Sequence, residues 1–326
     1  MTTATGGPGV DRELAELLRQ LPDAPPLDEQ TLPLIRPYAV VPAETALAGA
    51  EVARCDVTVA AADGTDIGMT VLSPVGLDRA AGAAPCVYWL HGGGMVMGDR
   101  FSQIDVPLEW LVRLGAVLVT VDYRLAPEAT GLTLVEDAYA GLLWTHEHAA
   151  ELGVDPERLV VAGISAGGGI AAGCTLLARD RGGPGLAAQV LICPMLDHRN
   201  DTASAHQYDG PGVWSRDANA FGWRSVINGA GTVSEYISPA LAQDLSGLPT
   251  TYIDTGSAEV FRDEDVTYAS RIWAAGGQAE LHVYAGGFHG FDTTFPQVRV
   301  AATARQTRSD WLDRVLNPAA GPTPAA

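Results

Sequence analysis

Short apolar runs alternate with longer segments of helical periodicity over most of this chain. Such runs, bounded by turn residues, are typical of strands buried on both faces. The predicted strands are residues 86–90, 117–121, 159–162, 190–193, 251–253 and 280–284. The predicted helices are residues 105–114, 135–147, 166–179, 263–275 and 298–316. This order predicts an α/β fold, with a mostly parallel sheet covered by helices on both faces.

The N-terminal part has a different pattern. Residues 55–59 and 67–72 are two strand-like runs around Asp63-Gly64, which indicates an antiparallel hairpin. Residues 10–21 are predicted to form a helix that prolines end, with an apolar face that needs a partner. That face consists of Leu14, Leu17, Leu18 and Leu21.

An irregular segment at about residues 197–238 interrupts the alternation of strands and helices. It is rich in aromatic residues and lacks the period of a strand. An insertion there would lie above the carboxyl ends of the strands, where open α/β sheets bind ligands. We therefore expect this segment to be a lid.

Composition and charge narrow the function. The 326 residues, 47% apolar and 18% charged, are typical of a globular protein, and no apolar run has the length of a membrane span. The net charge of −19 opposes binding to nucleic acid or to an anionic membrane, and suits a neutral or cationic small molecule. Residues 1–10 have no signal-peptide pattern, so we expect the protein to be located in the cytoplasm. Cys55, Cys86, Cys174 and Cys193 are expected to be buried free thiols.

The most specific chemical signal is Gly163-Ile164-Ser165-Ala166-Gly167, between a predicted strand and a predicted helix. Glycines two residues before and after the serine permit a sharp turn that exposes its hydroxyl. Ser165 is therefore the predicted nucleophile. A serine hydroxyl needs a base to accept its proton. Of the seven histidines we favour His289, because it follows the last strand in a glycine-flanked turn and satisfies the order nucleophile, acid, histidine.

The third member of a triad is an acid after the preceding strand, and the sequence offers three. Glu259 lies in the loop, Asp263 caps or opens the following helix, and Asp254 ends the strand. We favour Glu259 and keep the other two as alternatives. The glycines after His91 let backbone N–H groups approach an oxyanion, so Gly92, Gly93 and Ala166 are the predicted donors. His91 itself is expected to orient that loop.

These motifs resemble those of the bacterial hormone-sensitive-lipase-like esterases of the α/β-hydrolase superfamily, over about residues 55–315. The similar segments are His91–Gly94, Asp122–Glu128, Gly163–Gly167, Glu259–Glu264 and Phe288–Gly290. The resemblance implies an eight-stranded sheet, a helical cap and carboxylesterase activity, usually on short acyl esters. It assigns residues 1–50 to cap helices and residues 51–316 to a catalytic domain with a cap insertion at 197–238. The composition of residues 317–326, rich in Pro and Ala, predicts a flexible tail. Glu259 stands where relatives usually have aspartate, and Ile164 where they usually have Asp or Thr.

We expect no cofactor, because no phosphate loop and no metal-spaced cluster of ligands is apparent. The expected partner is a small-molecule ester, and a homodimer is allowed. The residues expected to wall the substrate site are Met95, Met97, Trp214 and Phe221. Alternatives remain open: an amidase, a lactonase or an acyltransferase could use the same triad, and a non-catalytic ligand-binding homologue could keep the fold.

Overall fold

A single eight-stranded sheet, in the order β1-β2-β4-β3-β5-β6-β7-β8, forms the centre of the molecule. The computed structural model describes residues 6–22, 25–81, 83–209, 213–229 and 231–318. The strands are β1 Val52–Ala60, β2 Asp66–Pro74, β3 Ala84–Leu90, β4 Val117–Val121, β5 Val154–Ile164, β6 Ala188–Ile192, β7 Thr250–Gly256 and β8 Ala279–Tyr284. Strands β1, β2 and β4 pair antiparallel, and all other neighbours pair parallel. The α/β fold with a mostly parallel eight-stranded sheet is thereby confirmed.

The predicted hairpin connects β1 and β2. Gly64 has φ +83°, a conformation in which glycine avoids the steric cost of a side chain. Asp63 Oδ1 accepts a hydrogen bond from the Thr65 N–H at 2.9 Å across the turn. The local turn chemistry that the sequence indicated therefore closes the first pair of strands.

Helices cover both faces of the sheet. The described helices are α1 Arg12–Leu18, α2 Leu32–Ile35, α3 Ala43–Ala46, α4 Asp105–Leu114, α5 Thr133–Glu147, α6 Ala149–Leu152, α7 Ala166–Arg181, α8 Ala203–Gln207, α9 Arg216–Ile227, α10 Arg262–Ala274, α11 Phe291–Thr294 and α12 Arg299–Leu316. Along β3, Tyr88 faces the apolar layer that α5, α7 and α10 complete, and Trp89 faces the layer of α4 and α12. Every residue of β3 is buried, as expected of a strand covered on both faces.

The N-terminal helix is shorter than the leucine pattern predicted. It ends at Leu18, and Leu21 beyond it is 43% exposed. Leu14 is fully buried against a cluster that includes Phe288 and Phe291, on either side of His289. The apolar face of α1 thus has the partner it needs, next to the expected base.

The cysteines follow the expectation except at Cys55. Cys86, Cys174 and Cys193 are buried, whereas Cys55 is exposed. The expectation for Cys55 was wrong because β1 is the edge strand and most of its residues remain exposed or half-buried. All four thiols are free.

The segment between β6 and β7 contains two helices that the sequence pattern did not reveal, α8 and α9. Thr202 and Ser215 cap them, with side chains that accept hydrogen bonds from Ala205 N and Ala218 N. These capping residues were the sequence signal from which the two helices could have been predicted. Among the described helices, none is long and apolar enough to cross a membrane.

Candidate active site

Ser165 lies at the sharp turn between β5 and α7, with φ 56° and ψ −122°. A Cβ at Gly163 would come within 2.3 Å of the Gly167 carbonyl oxygen, and a Cβ at Gly167 within 2.1 Å of the Leu90 carbonyl oxygen. Both positions therefore require glycine. The Ser165 N–H donates to the Ile192 carbonyl at 2.8 Å, which ties the turn to the neighbouring strand.

The fold brings Ser165, His289 and Glu259 into one hydrogen-bonded chain. Ser165 Oγ lies 2.9 Å from His289 Nε2, and His289 Nδ1 lies 2.6 Å from Glu259 Oε2. The three residues are buried, with 6%, 8% and 2% of their surface exposed. The tautomer with a proton on Nδ1 donates to the carboxylate and leaves Nε2 free to accept the serine proton.

The end of β7 holds the second oxygen of Glu259. Its Oε1 accepts a hydrogen bond from the Gly256 N–H at 2.7 Å and another from the Thr255 hydroxyl. These two donors orient the side chain, so that Oε2 faces the imidazole although glutamate is one methylene longer than aspartate. Neither Thr255 nor Gly256 was among the residues expected at the site.

The two alternative acids have other partners. Asp254 Oδ2 accepts a hydrogen bond from Arg308 Nη2 at 2.7 Å. Asp263 accepts from the Ser204 N–H at 2.8 Å and from Arg262 Nε at 2.7 Å. Asp263 lies in the first turn of α10, which begins at Arg262, and it does not cap that helix, because the cap position is Phe261 and has no side-chain hydrogen bond.

The other histidines are held away from Ser165 by different contacts. The partners of four of them are Ser238 for His198, Asp201 for His206, Glu280 for His282 and the Trp144 carbonyl for His148. The part of the chain that the structure describes contains no second histidine hydrogen-bonded to Ser165.

The glycine loop after β3 passes beside the elbow, since a Cβ at Gly92 would come 3.4 Å from Ser165 Cβ. The expectation for Gly92 needs correction: its N–H donates to Gln103 Oε1 at 2.9 Å and is already used. Within the described ranges, the N–H groups of Gly93, Gly94 and Ala166 have no acceptor. Gln103 was missed, because no pattern links a glutamine to a backbone amide on another segment.

His91 supports this loop from inside. Its ring is stacked on Tyr123 with centroids 4.3 Å apart, and Nδ1 lies 2.7 Å from the Gly92 carbonyl oxygen. Burial lowers the pKa of His91 to about 4, because the charged imidazolium would lose its hydration. The ring is therefore neutral in the folded protein at neutral pH.

The buried neutral His91 predicts a loss of stability in acid. The unfolded chain binds a proton near pH 6.5 and the folded chain near pH 4, so the contribution is complete above pH 6.5 and is lost as the pH falls to about 4. We expect the free energy of unfolding of the wild type to fall by up to about 3 kcal/mol more than that of His91→Asn over this interval. Urea unfolding of both proteins at pH 4.5, 5.5, 6.5 and 7.5 measures the difference.

Comparing the two proteins removes the contribution of other groups. Burial raises the pKa of Asp254 to about 6, which acts in the opposite direction in both proteins and cancels in the difference. Parallel stability profiles of the wild type and His91→Asn would contradict the account of a neutral, buried His91.

Arg124 and Glu128 belong to two separate groups of ion pairs near the glycine loop. Arg124 pairs with Asp137 and Asp63, at 2.6 and 2.7 Å. Glu128 pairs instead with Arg36, which also donates from Nε to the Val96 carbonyl at 2.7 Å. Only the second pair touches the loop, and it connects that loop to the N-terminal segment.

The four expected wall residues are placed differently from one another. Trp214 packs directly on Gly94, where a Cβ would come within 2.2 Å of its ring, and its ring centroid lies 6.2 Å from that of His289. Met97 is half-buried, whereas Met95 and Phe221 are only 1% and 4% exposed and belong to the main apolar layer. Of these four, Trp214 is the side chain that the structure brings to both the loop and the histidine.

The spacing of ligand-type residues indicated no metal cluster, yet among the residues that the structure describes the fold brings one group of three together. Cys193, Glu259 and His289 each offer a ligand atom, and these atoms lie within 4.8 Å of one another. The sequence did not reveal this group, because its three residues are far apart along the chain and their separations match no recurrent metal-binding motif.

Comparisons with known proteins agree with this geometry. A family model described as the alpha/beta hydrolase fold matches residues 87–293. Carboxylesterase NlhH of Mycobacterium tuberculosis is 37% identical over 72% of this chain and 74% of that protein. Esterase LipI of the same species is 36% identical over 64% of this chain and 66% of that protein. The solved structure of a bacterial heroin esterase superimposes with a TM-score of 0.86 at 35% identity, covering 94% of this chain and 98% of the other. The chain therefore belongs to the hormone-sensitive-lipase-like esterases of the α/β-hydrolase superfamily and is a carboxylic-ester hydrolase.

Proposed function

We propose that the protein hydrolyses small carboxylic esters through an acyl-enzyme on Ser165. The observation that carries the proposal is the hydrogen-bonded chain from Ser165 through His289 to Glu259, at 2.9 and 2.6 Å. A serine hydroxyl, a neutral imidazole and a carboxylate in this order form the arrangement that acyl transfer requires.

In the acylation step, Ser165 Oγ attacks the ester carbonyl carbon as its proton passes to His289 Nε2. The carbonyl oxygen becomes an oxyanion, and the N–H groups of Gly93, Gly94 and Ala166 are the proposed donors to it, because they have no other acceptor among the described residues. The tetrahedral intermediate then collapses, and the leaving alcohol takes the proton from Nε2. The alcohol departs, and the acyl group stays on Oγ.

Deacylation repeats these steps with water. His289 Nε2 accepts a proton from the water, whose oxygen attacks the acyl carbon, and then returns that proton to Ser165 Oγ as the acid leaves. The Glu259 side chain stabilises the imidazolium that forms in each half of the cycle. Its two donors at Oε1 keep Oε2 aimed at Nδ1.

The assignment of the acid is tested by a matched pair of variants. Glu259→Gln keeps the shape but removes the charge that stabilises the imidazolium, so kcat is expected to fall by about 10²-fold or more. Asp263→Asn changes a carboxylate only four positions away, which lies on α10 and bonds Ser204 and Arg262, and it should leave kcat within about threefold. Steady-state kinetics with p-nitrophenyl acetate measure both.

If Asp263→Asn lost its activity while Glu259→Gln kept it, the role of the triad acid would pass to Asp263. Thermal unfolding of both variants separates loss of catalysis from loss of structure.

The preference for small esters is proposed from the position of Trp214. Its ring covers Gly94 and approaches His289, so it narrows the space beside the expected oxyanion donors. We propose that the segment containing α8 and α9, with the N-terminal helices, acts as the cap. Contact between Gly222 on α9 and Gly94 supports this role, because a Cβ at Gly222 would come 2.7 Å from the Gly94 carbonyl oxygen.

Trp214→Ala is expected to shift the chain-length preference toward longer acyl groups. Removing the indole opens space for added methylenes, so the ratio of kcat/KM for the p-nitrophenyl hexanoate and acetate esters should rise by about tenfold or more. Phe221→Leu, a change within the buried layer, serves as the control and should leave that ratio within about threefold. An unchanged ratio in Trp214→Ala would remove Trp214 from the acyl site.

The oligomeric state and the cellular location are the two remaining parts of the proposal. A homodimer and a location in the cytoplasm stay predictions, which light scattering of the purified protein and fractionation of the source cells would check.

A further inference from the structure

Cys193 is a buried thiol that the proposed mechanism does not use. It follows β6 at the carboxyl edge of the sheet, where its N–H donates to the Asp254 carbonyl at 2.6 Å. Its φ of +35° is unusual for a residue with a side chain. Three ligand atoms lie within 4.8 Å of one another: the Cys193 sulfur, a carboxylate oxygen of Glu259 and a ring nitrogen of His289.

These three ligand types suit zinc and its close analogues. Thiolate, imidazole and carboxylate are the protein ligands of Zn²⁺, with bond lengths of about 2.0–2.3 Å. Ligand atoms around a tetrahedral ion with such bonds are about 3.5 Å apart. Side-chain adjustments of about an ångström would therefore close the group of three around one ion.

The metal must displace a proton from Cys193. Burial, with the charges of Glu259, Asp292 and Asp254, raises the pKa of the Cys193 thiol well above its ordinary value, so the thiol is uncharged in the metal-free protein. The buried Arg308 pairs with Asp254 and Asp292, so these two carboxylates already have a cationic partner. The case for the site therefore comes from the distances among its three ligand atoms.

We propose that Cys193, Glu259 and His289 form an inhibitory site for Zn²⁺ or Cd²⁺. The ion replaces the proton of the Cys193 thiol, which is released to solvent, and no electron is transferred. Glu259 exchanges its hydrogen bond with the imidazole for a bond to the metal.

Binding through either nitrogen of His289 removes the base. If Nε2 binds the ion, its lone pair can no longer accept the serine proton. If Nδ1 binds the ion, the imidazole proton moves to Nε2, which then donates rather than accepts. This consequence for activity rests on the proposed serine mechanism, whereas metal binding itself does not.

The first experiment measures inhibition. Initial rates of the wild type, Cys193→Ala and Cys55→Ala with p-nitrophenyl acetate are recorded over a series of buffered free Zn²⁺ and Cd²⁺ concentrations. Cys193→Ala should keep the basal rate. The metal concentration for its half-inhibition should be at least about tenfold higher than for the wild type, because losing a ligand lowers metal affinity by at least as much as losing a residue that supports a ligand. Cys55→Ala, which removes the exposed thiol, should be inhibited like the wild type, and a chelator should restore both.

The second experiment does not depend on activity. Cd²⁺ is titrated into Ser165→Ala protein that also carries Cys55→Ala, and the ultraviolet charge-transfer band of a Cd²⁺–thiolate bond is recorded. The band should reach its full intensity at one equivalent of Cd²⁺, and it should be absent from protein that carries Cys193→Ser as a third substitution. Serine is used because it keeps the size of the side chain, in case the alanine variant fails to fold. Equal inhibition of the wild type and Cys193→Ala, or the same band with and without Cys193, would overturn the proposal. A wild type without esterase activity, together with a Cys193-dependent band in the Ser165→Ala/Cys55→Ala protein, would contradict the serine mechanism and leave the metal site standing.

Discussion

Ser165→Ala is expected to lower kcat by about 10⁵- to 10⁶-fold, because the variant has no nucleophile and retains only the contribution of binding and oxyanion stabilisation. The free energy of unfolding should change by less than about 1 kcal/mol, since the lost hydroxyl makes one side-chain hydrogen bond, to His289. Stopped-assay kinetics with p-nitrophenyl acetate and urea unfolding measure the two effects.

A fluorophosphonate probe provides the matching chemical test. It should label the wild type with one equivalent and leave Ser165→Ala unlabelled, whereas Ser257→Ala, a serine whose hydroxyl accepts from the Gly286 N–H, should be labelled normally. Labelling of Ser165→Ala, or a kcat within tenfold of the wild type, would contradict the serine mechanism.

His289→Ala is expected to lower kcat by a similar factor, about 10⁵-fold or more, because the serine proton then has no acceptor. The double variant Ser165→Ala/His289→Ala should be no slower than either single variant, since the two residues act as a unit. Kinetics of the three proteins under identical conditions measure this non-additivity.

His206→Ala is the control for His289→Ala. His206 is exposed and bonds Asp201, so its loss should leave kcat within about twofold. Additive losses in the double variant would indicate that Ser165 and His289 act independently, which would contradict the proposed transfer of the serine proton to His289.

Most of the secondary structure was predictable because its causes are local. Helix α4 and strand β4 begin and end at the predicted residues, 105–114 and 117–121. Strand β5 is longer than the apolar run 159–162, because residues 155–158 are half-buried or exposed and interrupt the apolar pattern after the buried Val154. Helices α8 and α9 were not predicted, because a capping residue is a weak signal where no clear periodicity supports it.

The sequence alone determined the parts of the site that depend on neighbouring residues. Glycines at 163 and 167 identify the elbow, because the turn around Ser165 leaves no space for a Cβ at either position. Chain order then made His289 the preferred base. It also restricted the acid to three residues within a short segment, but could not choose among them.

Only the tertiary structure decided the contacts between distant segments. Gly256 and Thr255 aim Glu259 at His289, Asp254 is held by Arg308, and Gln103 takes the N–H of Gly92. The approach of Cys193 to the triad is of the same kind. The physical reason is that backbone conformation and apolar periodicity act over a few residues, whereas hydrogen bonds and electrostatic interactions depend on distances in space that the packing of the whole sheet sets.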